Sequence, residues 1–290
     1  MINYDYCPVC GSNVVEWKRK VIGSQEYKVD LCSGCGYAFI NPRPTLEFLS
    51  NYYTNFHISD EYTQNNTETE KYSYSIIDAK RIVKNISELT NDIYGLDFLD
   101  VGCGHGLLSR EAIYSKFHVT ALELSDIERD IAHNLTKIIP INSSFEDYRC
   151  NENSFDVINL SQILEHVFNV NLWASKAHYC LRKGGVLAIA LPNFNSFFRY
   201  LLQENDPYIC PPLHLNFFSK RSLIKLLDTH GFDIEYVEFI SRIPDEASLK
   251  RIPNFLLFTL PVLKIAISFI FKIFDILHIG IMINIYARKR

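Results

Sequence analysis

Positive charge is not in surplus in this sequence: 29 Lys and Arg stand against 33 Asp and Glu, a formal net charge of −4. A protein that lives on nucleic acid needs basic surface to neutralise phosphates, so this balance argues against such a partner. The start, MINYDYCPVCG, lacks a basic segment followed by an apolar run, so no secretory leader is expected and the chain reads as cytoplasmic. Residues 254 to 278 are very apolar, yet Lys264, Lys272 and Asp275 interrupt them, which argues against a bilayer-spanning helix. Internal repeats and low-complexity segments are also missing, which excludes repeat architectures. With 48% hydrophobic and 21% charged residues over 290 positions, the chain is globular and has room for one full α/β domain with smaller additions.

Cysteine is present but unevenly placed. Cys7, Cys10, Cys32 and Cys35 form two C-x-x-C pairs, each followed by a glycine, while Cys103, Cys150, Cys180 and Cys210 stand singly. Two thiolates three positions apart can share one tetrahedral zinc with a second such pair. The pattern predicts a reduced protein with a structural metal site and not a disulfide framework. Four thiolates leave no open position for catalysis, and a unit of this size depends on the metal to fold.

Four regions follow from the patterning: a small metal ribbon over residues 1–44, a tyrosine-rich helical segment over 45–94, an α/β core over 95–240, and an apolar helix with a final strand over 241–290. Short apolar runs (GLDFLDV, FHVTALE, FDVINLS, GVLAIAL) alternate with helical patterns, which reads as βαβ units building a parallel sheet. The tyrosines Tyr52, Tyr53, Tyr62, Tyr72 and Tyr74 form either a lid over the site or packing beneath the ribbon. On a helix, Lys264, Ser268, Lys272 and Asp275 share one narrow stripe and the rest is apolar. Such a helix either packs into a groove or dimer interface, or lies in a membrane surface as a peripheral contact.

The segment LDVGCGHG places Gly102, Gly104 and Gly106 between a strand and a helix. Three glycines there let the backbone approach a ligand closely. Carboxylates surround the loop: Asp100 before it, Glu123 at the end of the next strand, and Glu146 after the third. A pyrophosphate is poorly suited to that company, whereas a ligand with ribose hydroxyls and a positive centre fits it.

Taken together, LDVGCGHG, ALELS, FDVINLSQILEHV and LRKGGVLAIALPN resemble the motif series of class I S-adenosylmethionine-dependent methyltransferases over residues 95 to 240. The resemblance implies a Rossmann-like sheet, mostly parallel with an antiparallel last strand, and S-adenosylmethionine as cofactor. It implies cofactor contacts from Asp100, Gly102, Cys103, Gly104 and Gly106, ribose contacts from Glu123 with Leu124 beside it, and adenine contacts from Phe145 and Glu146. The ribbon in front is similar to that of bacterial sugar and polysaccharide methyltransferases, where a Glu-His pair acts as base, matching Glu165 and His166. The segment HLNFFSKRSLIKLLDTHGF, with His214, also resembles ubiquinone-pathway O-methyltransferases. His166 and His214 are therefore the two base candidates, both expected over the cofactor crevice, and His105 is a solvent-facing or cofactor-edge residue. The expected acceptor is a small or carrier-linked metabolite, first a nucleotide sugar or surface-glycan precursor. A lipid- or quinone-type acceptor, an RNA, and a zinc docking module on a silent fold are the alternatives.

Overall fold

The computed structural model describes residues 2–49, 72–242 and 260–290. The reading of Tyr52, Tyr53 and Tyr62 as a lid lies outside them. In chain order the strands are β1 (Val14–Ile22), β2 (Gln25–Cys32), β3 (Ala38–Ile40), β4 (Asp97–Val101), β5 (His118–Leu122), β6 (Phe155–Ser161), β7 (Leu181–Pro192), β8 (Asn216–Phe217), β9 (Phe232–Ile240) and β10 (Met282–Lys289). The helices are α1 (Tyr72–Leu89), α2 (Leu107–Tyr114), α3 (Asp126–Thr136), α4 (Val170–Cys180), α5 (Phe197–Leu202), α6 (Lys220–Thr229) and α7 (Leu260–Ile276).

Six strands form the main sheet in the order β5-β4-β6-β7-β10-β9. The first four run parallel, and β10 is antiparallel to both β7 and β9. The central strands read as nearly continuous apolar runs because both of their faces are covered, as parallel sheets require. On one face α1 lays Ile82, Val83 and Ile86 against Phe98, Val157 and Tyr286. On the other, Trp173 and Ala177 of α4 and Leu223 and Leu227 of α6 meet Leu99, Ile158, Leu187 and Ile285. Local signals fix where helices start. Ser125 caps α3 by accepting from the Glu128 amide, and Ser219 with Ser222 makes a capping box on α6.

The second sheet has the order β1-β2-β3-β8. Its last strand comes from the far side of the core, where Asn216 pairs with Phe39 and Phe217 with Ala38. Cys7, Cys35, Tyr37 and Phe39 belong to the same buried cluster as the main sheet, so ribbon and core share one interior. One expectation is corrected among the single cysteines. Cys150 and Cys180 are joined as a disulfide, with Cα atoms 6.0 Å apart. Their separation of 30 residues in sequence hid a closeness that α4 creates by returning the chain to the start of β7.

Candidate active site

A cleft of about 520 Å³ opens at the carboxyl ends of β4 and β6, where parallel sheets of this kind place their ligands. Asp100, Gly102, Cys103, Gly104 and His105 from the glycine loop line it, with Asn159 and Ser161 from β6. Gly102 and Gly104 have φ of +64° and +51°, values that favour glycine. A Cβ on Gly102 would stand 2.4 Å from Ile163, and one on Gly104 would stand 3.3 Å from the Glu128 carboxylate. Gly106 has a different task. Its missing Cβ leaves room for Ala132 and Thr136 of α3, about 3 Å away, and it does not line the cleft. The tight spot there is a helix packing contact.

The carboxylates divide their duties. Asp100 is buried, and its oxygens accept from the Ser109 hydroxyl at 2.6 Å and the Asn159 amide at 2.9 Å. Burial raises its pKa above the ordinary range. Glu123 accepts from three main-chain amides, those of Gly104 at 2.9 Å, Leu124 at 2.8 Å and Ser125 at 2.9 Å. It braces the loop and is not among the residues that line the cleft. Glu128, which the sequence reading missed, lines the cleft, and burial followed by the charge of Glu123 pushes it up to about 7. Its spacing signal was masked by its role as an ordinary acidic residue in the first turn of α3. Burial and then the charges of Asp100, Glu123 and Glu128 drive the Cys103 thiol well above its usual value. A pocket with this much negative potential favours a cationic guest.

Three predicted contacts sit elsewhere. Leu124 is exposed, and Phe145 is buried in the core against Trp173, with ring centroids 5.2 Å apart. The Glu146 carboxylate accepts from the Trp173 indole at 2.6 Å. None of the three lines the cleft, because Phe145 is committed to the core and Glu146 to the indole. Across the mouth, Asp78 of α1 forms an ion pair with Arg242, and both line the cleft.

His166 and His214 are brought together, edge to face with ring centroids 4.8 Å apart, but neither lines the cofactor cleft. The expectation of both over one crevice is corrected by the turn after β6. Ile163 lies on Gly102, and the chain then carries Glu165 to the neighbouring space and His166 against His214 at its edge. That space, about 10 Å³, is lined by Glu165, His214, Arg199, Asp206 and Asn216 among others and has room for roughly one water. Each imidazole is pinned the same way. Nδ1 of His166 is 2.9 Å from the Leu213 carbonyl, and Nδ1 of His214 is 2.8 Å from the Tyr208 carbonyl. A carbonyl only accepts, so Nδ1 carries the proton and Nε2 keeps its lone pair. Burial and then the His214 charge pull His166 down to about 4, and burial lowers His214. Glu165 is 2% exposed, neither of its oxygens has a hydrogen-bond partner among the described residues, and burial raises it to about 8. Ligand-type atoms of Glu165, His166 and His214 all lie within 4.8 Å, so the trio could share a proton or a small cation.

A buried polar network ties this turn to the ribbon. Asn216 donates to the Leu164 and Val167 carbonyls at 2.7 and 2.8 Å and accepts from Tyr37 and Arg43. The Leu215 and Asn216 amides both donate to the Glu165 carbonyl, at 2.7 and 3.0 Å. At the other end of the ribbon, Cys7 and Cys35 sulfurs are 3.7 Å apart and Cys10 and Cys32 sulfurs 3.4 Å. A tetrahedral ion with Zn–S of ~2.3 Å needs sulfurs about 3.8 Å apart, so the four cysteines fit one. Gly11 and Gly36, at φ +73° and +75°, turn each knuckle.

The family model described as a methyltransferase domain matches residues 74–237, more than half of the chain. Among curated proteins, the ubiquinone biosynthesis O-methyltransferase of Rickettsia canadensis (strain McKiel) is 32% identical over 117 residues, 39% of this chain and 49% of that protein. The protein of the same name from Vibrio atlanticus (strain LGP32) is 29% identical over 155 residues, 49% of this chain and 65% of its own. The chain thus spans about half the length of several curated relatives it matches. Among solved structures, a SAM-dependent methyltransferase from Thermotoga maritima superposes with TM-score 0.54 at 15% identity, covering 81% of this chain and 97% of that one. The 1,6-didemethyltoxoflavin-N1-methyltransferase of Burkholderia thailandensis, solved with S-adenosylhomocysteine, gives 0.53 at 13% identity, covering 94% and 99%. Those two likenesses speak for the fold. With the domain match, the strand order and the glycine cradle ringed by carboxylates, the chain belongs to the methyltransferase-domain family as a class I S-adenosylmethionine-dependent methyltransferase.

Proposed function

We propose that the protein transfers a methyl group to a hydroxyl oxygen of a lipid- or quinone-type acceptor, with a structural zinc in its ribbon. The observation that carries the reading is the pair of pinned, neutral imidazoles beside the turn after β6, each with Nδ1 on a carbonyl and, for His166, Nε2 4.0 Å from the Glu165 carboxyl. The names of the curated relatives support oxygen as the atom methylated.

When bound, S-adenosylmethionine supplies an activated methyl on a sulfonium that departs as a neutral thioether. Gly102 and Gly104 would leave the backbone open to it, and Asp100, Glu123 and Glu128 would favour its positive charge. An acceptor hydroxyl that reaches from the cleft to the turn after β6 would give its proton to Nε2 of His166 as the oxygen–methyl bond forms. The Leu213 carbonyl stabilises the resulting imidazolium through Nδ1–H, and His214 lies within reach to relay the proton. Glu165, protonated at neutral pH, keeps the site free of a second formal charge.

The test is cofactor consumption with a prenylated phenolic acceptor and with nucleotide sugars side by side. His166→Asn is expected to lower turnover at least about 100-fold with cofactor affinity unchanged. Wild-type turnover in that variant removes His166 as base. Methylation of a nucleotide sugar alone would favour the competing glycan-precursor reading, which rests on the cysteine ribbon and the Glu165–His166 pair. Failure to bind S-adenosylmethionine in calorimetry would favour a silent fold.

A further inference from the structure

The exposed side of α7 is apolar where a solvated helix would be polar. Phe269, Ile270, Ile273, Ile276 and Leu277 are exposed at 67, 45, 39, 75 and 60%. At 100° per residue these five fall within a third of the helix circumference. The opposite side is used normally: Phe271 is buried, and Phe274 stacks on Phe197 of α5 with centroids 4.6 Å apart. That contact joins α5 to the patch and adds Tyr200 and Leu201, exposed at 71 and 63%. So α7 has two apolar sides, one spent on the body of the protein and one facing outward.

The charges without partners beside this patch are cations, while the carboxylate of α7, Asp275, accepts from the Ser241 hydroxyl at 2.7 Å. A cleft of about 390 Å³ next to it is lined by Lys220, Arg221 and His278, the last directly following α7. Lys272 stands exposed on α7 at the border of the apolar arc. Among the described residues, Lys220, Arg221 and Lys272 make no hydrogen bond or ion pair, in contrast to Arg182, Arg288 and Arg290, which are paired with carboxylates. A net-acidic chain has thus gathered unpaired cations at the edge of its exposed apolar face.

We infer that α7, α5 and the cleft at Lys220 and Arg221 form a docking face for an anionic lipid surface. Apolar side chains enter the acyl boundary while the cations meet headgroup phosphates, the division of labour of interfacial helices. Charge complementarity selects this occupant over a second copy of the chain, which would bring the same cations against each other. No helix of the described residues is long and apolar enough to cross a membrane, so the contact lies along the surface. The inference does not depend on which acceptor is methylated.

The test is co-sedimentation of the full chain with vesicles of phosphatidylcholine, with and without phosphatidylglycerol. Binding is expected only with phosphatidylglycerol and falls as salt rises. Charge reversal at Arg221→Glu or Lys272→Glu, both exposed and remote from packing, weakens partitioning at least about fivefold each. Ile276→Asp abolishes it, with unchanged S-adenosylmethionine binding as the check that each variant is folded. The proposal is overturned by absence of pelleting, by equal pelleting on phosphatidylcholine alone, or by a concentration-dependent dimer that Ile276→Asp dissociates without any vesicle binding. Loss of methyl transfer with retained vesicle binding would sink the catalytic reading and leave this one standing.

Discussion

Replacing Asn216 with alanine tests whether the ribbon holds the histidine turn. The side chain is 1% exposed and makes four hydrogen bonds, two donated to the Leu164 and Val167 carbonyls and two accepted from Tyr37 and Arg43. Its loss leaves two buried carbonyls without these donors and takes from Arg43 one of the two acceptors of Nη2. Nε and Nη1 of Arg43 already lack hydrogen-bond partners, and its remaining support is the Tyr37 hydroxyl and three rings about 5.9 Å away. Each unsatisfied neutral group costs about 1–3 kcal/mol and the charged donor somewhat more, but the terms share one cavity and do not add fully. The expected loss is about 3–5 kcal/mol in urea unfolding. Because Leu164 and Val167 flank Glu165 and His166, turnover should fall at least about tenfold while cofactor affinity holds. A double-mutant cycle with Arg43→Ala should show coupling above about 0.5 kcal/mol. A loss under about 1 kcal/mol with unchanged turnover would refute the clamp.

Three further outcomes are expected. Stripping the metal with a strong chelator, or Cys35→Ser, lowers the thermal midpoint and turnover together, since the ribbon is continuous with the core; a metal-free protein with an unchanged midpoint would contradict the zinc assignment. Glu123→Ala weakens cofactor affinity by about 1–3 kcal/mol in calorimetry, because the variant loses an acceptor and frees the Gly104 amide; unchanged affinity shows the brace to be dispensable. Glu165 is raised in the folded protein from 4.5 to about 8, so the folded state holds its proton longer and stability declines as pH rises through that window. Glu165→Gln should flatten this slope in denaturation curves at pH 5 to 8, and an identical slope would place the titration elsewhere.

The rhythm of the core was legible because buried parallel strands need apolar runs whatever their neighbours are, and β4, β5, β6 and β7 were marked this way. Two residues such as Asn216 and Phe217 carry no periodicity, so β8 was invisible, and with it the union of ribbon and core. The cysteine knuckles were legible from spacing and glycines alone. Asp100, Gly102, Cys103 and Gly104, singled out by their order along the chain, line the cleft. Gly106 was misassigned because sequence shows the need for a missing Cβ without showing what would fill the space. Glu128, Asp78 and Arg242 stayed hidden because their closeness to the loop is tertiary, and each reads locally as an ordinary surface charge.

The amino-terminal sheet ends on a strand made some 180 positions later in the chain, as the Tyr37–Asn216 separation of 179 residues records. The cysteines can gather an ion as soon as residue 35 has left the ribosome, whereas the edge beside Ala38 and Phe39 stays bare until residue 217 follows. During synthesis the ribbon is therefore a stub with an unmatched strand edge, open to pairing with the wrong neighbour. A fragment cut after β3 should inherit that exposed edge permanently, so stickiness, and not a loose fold, is the property by which it would be recognised.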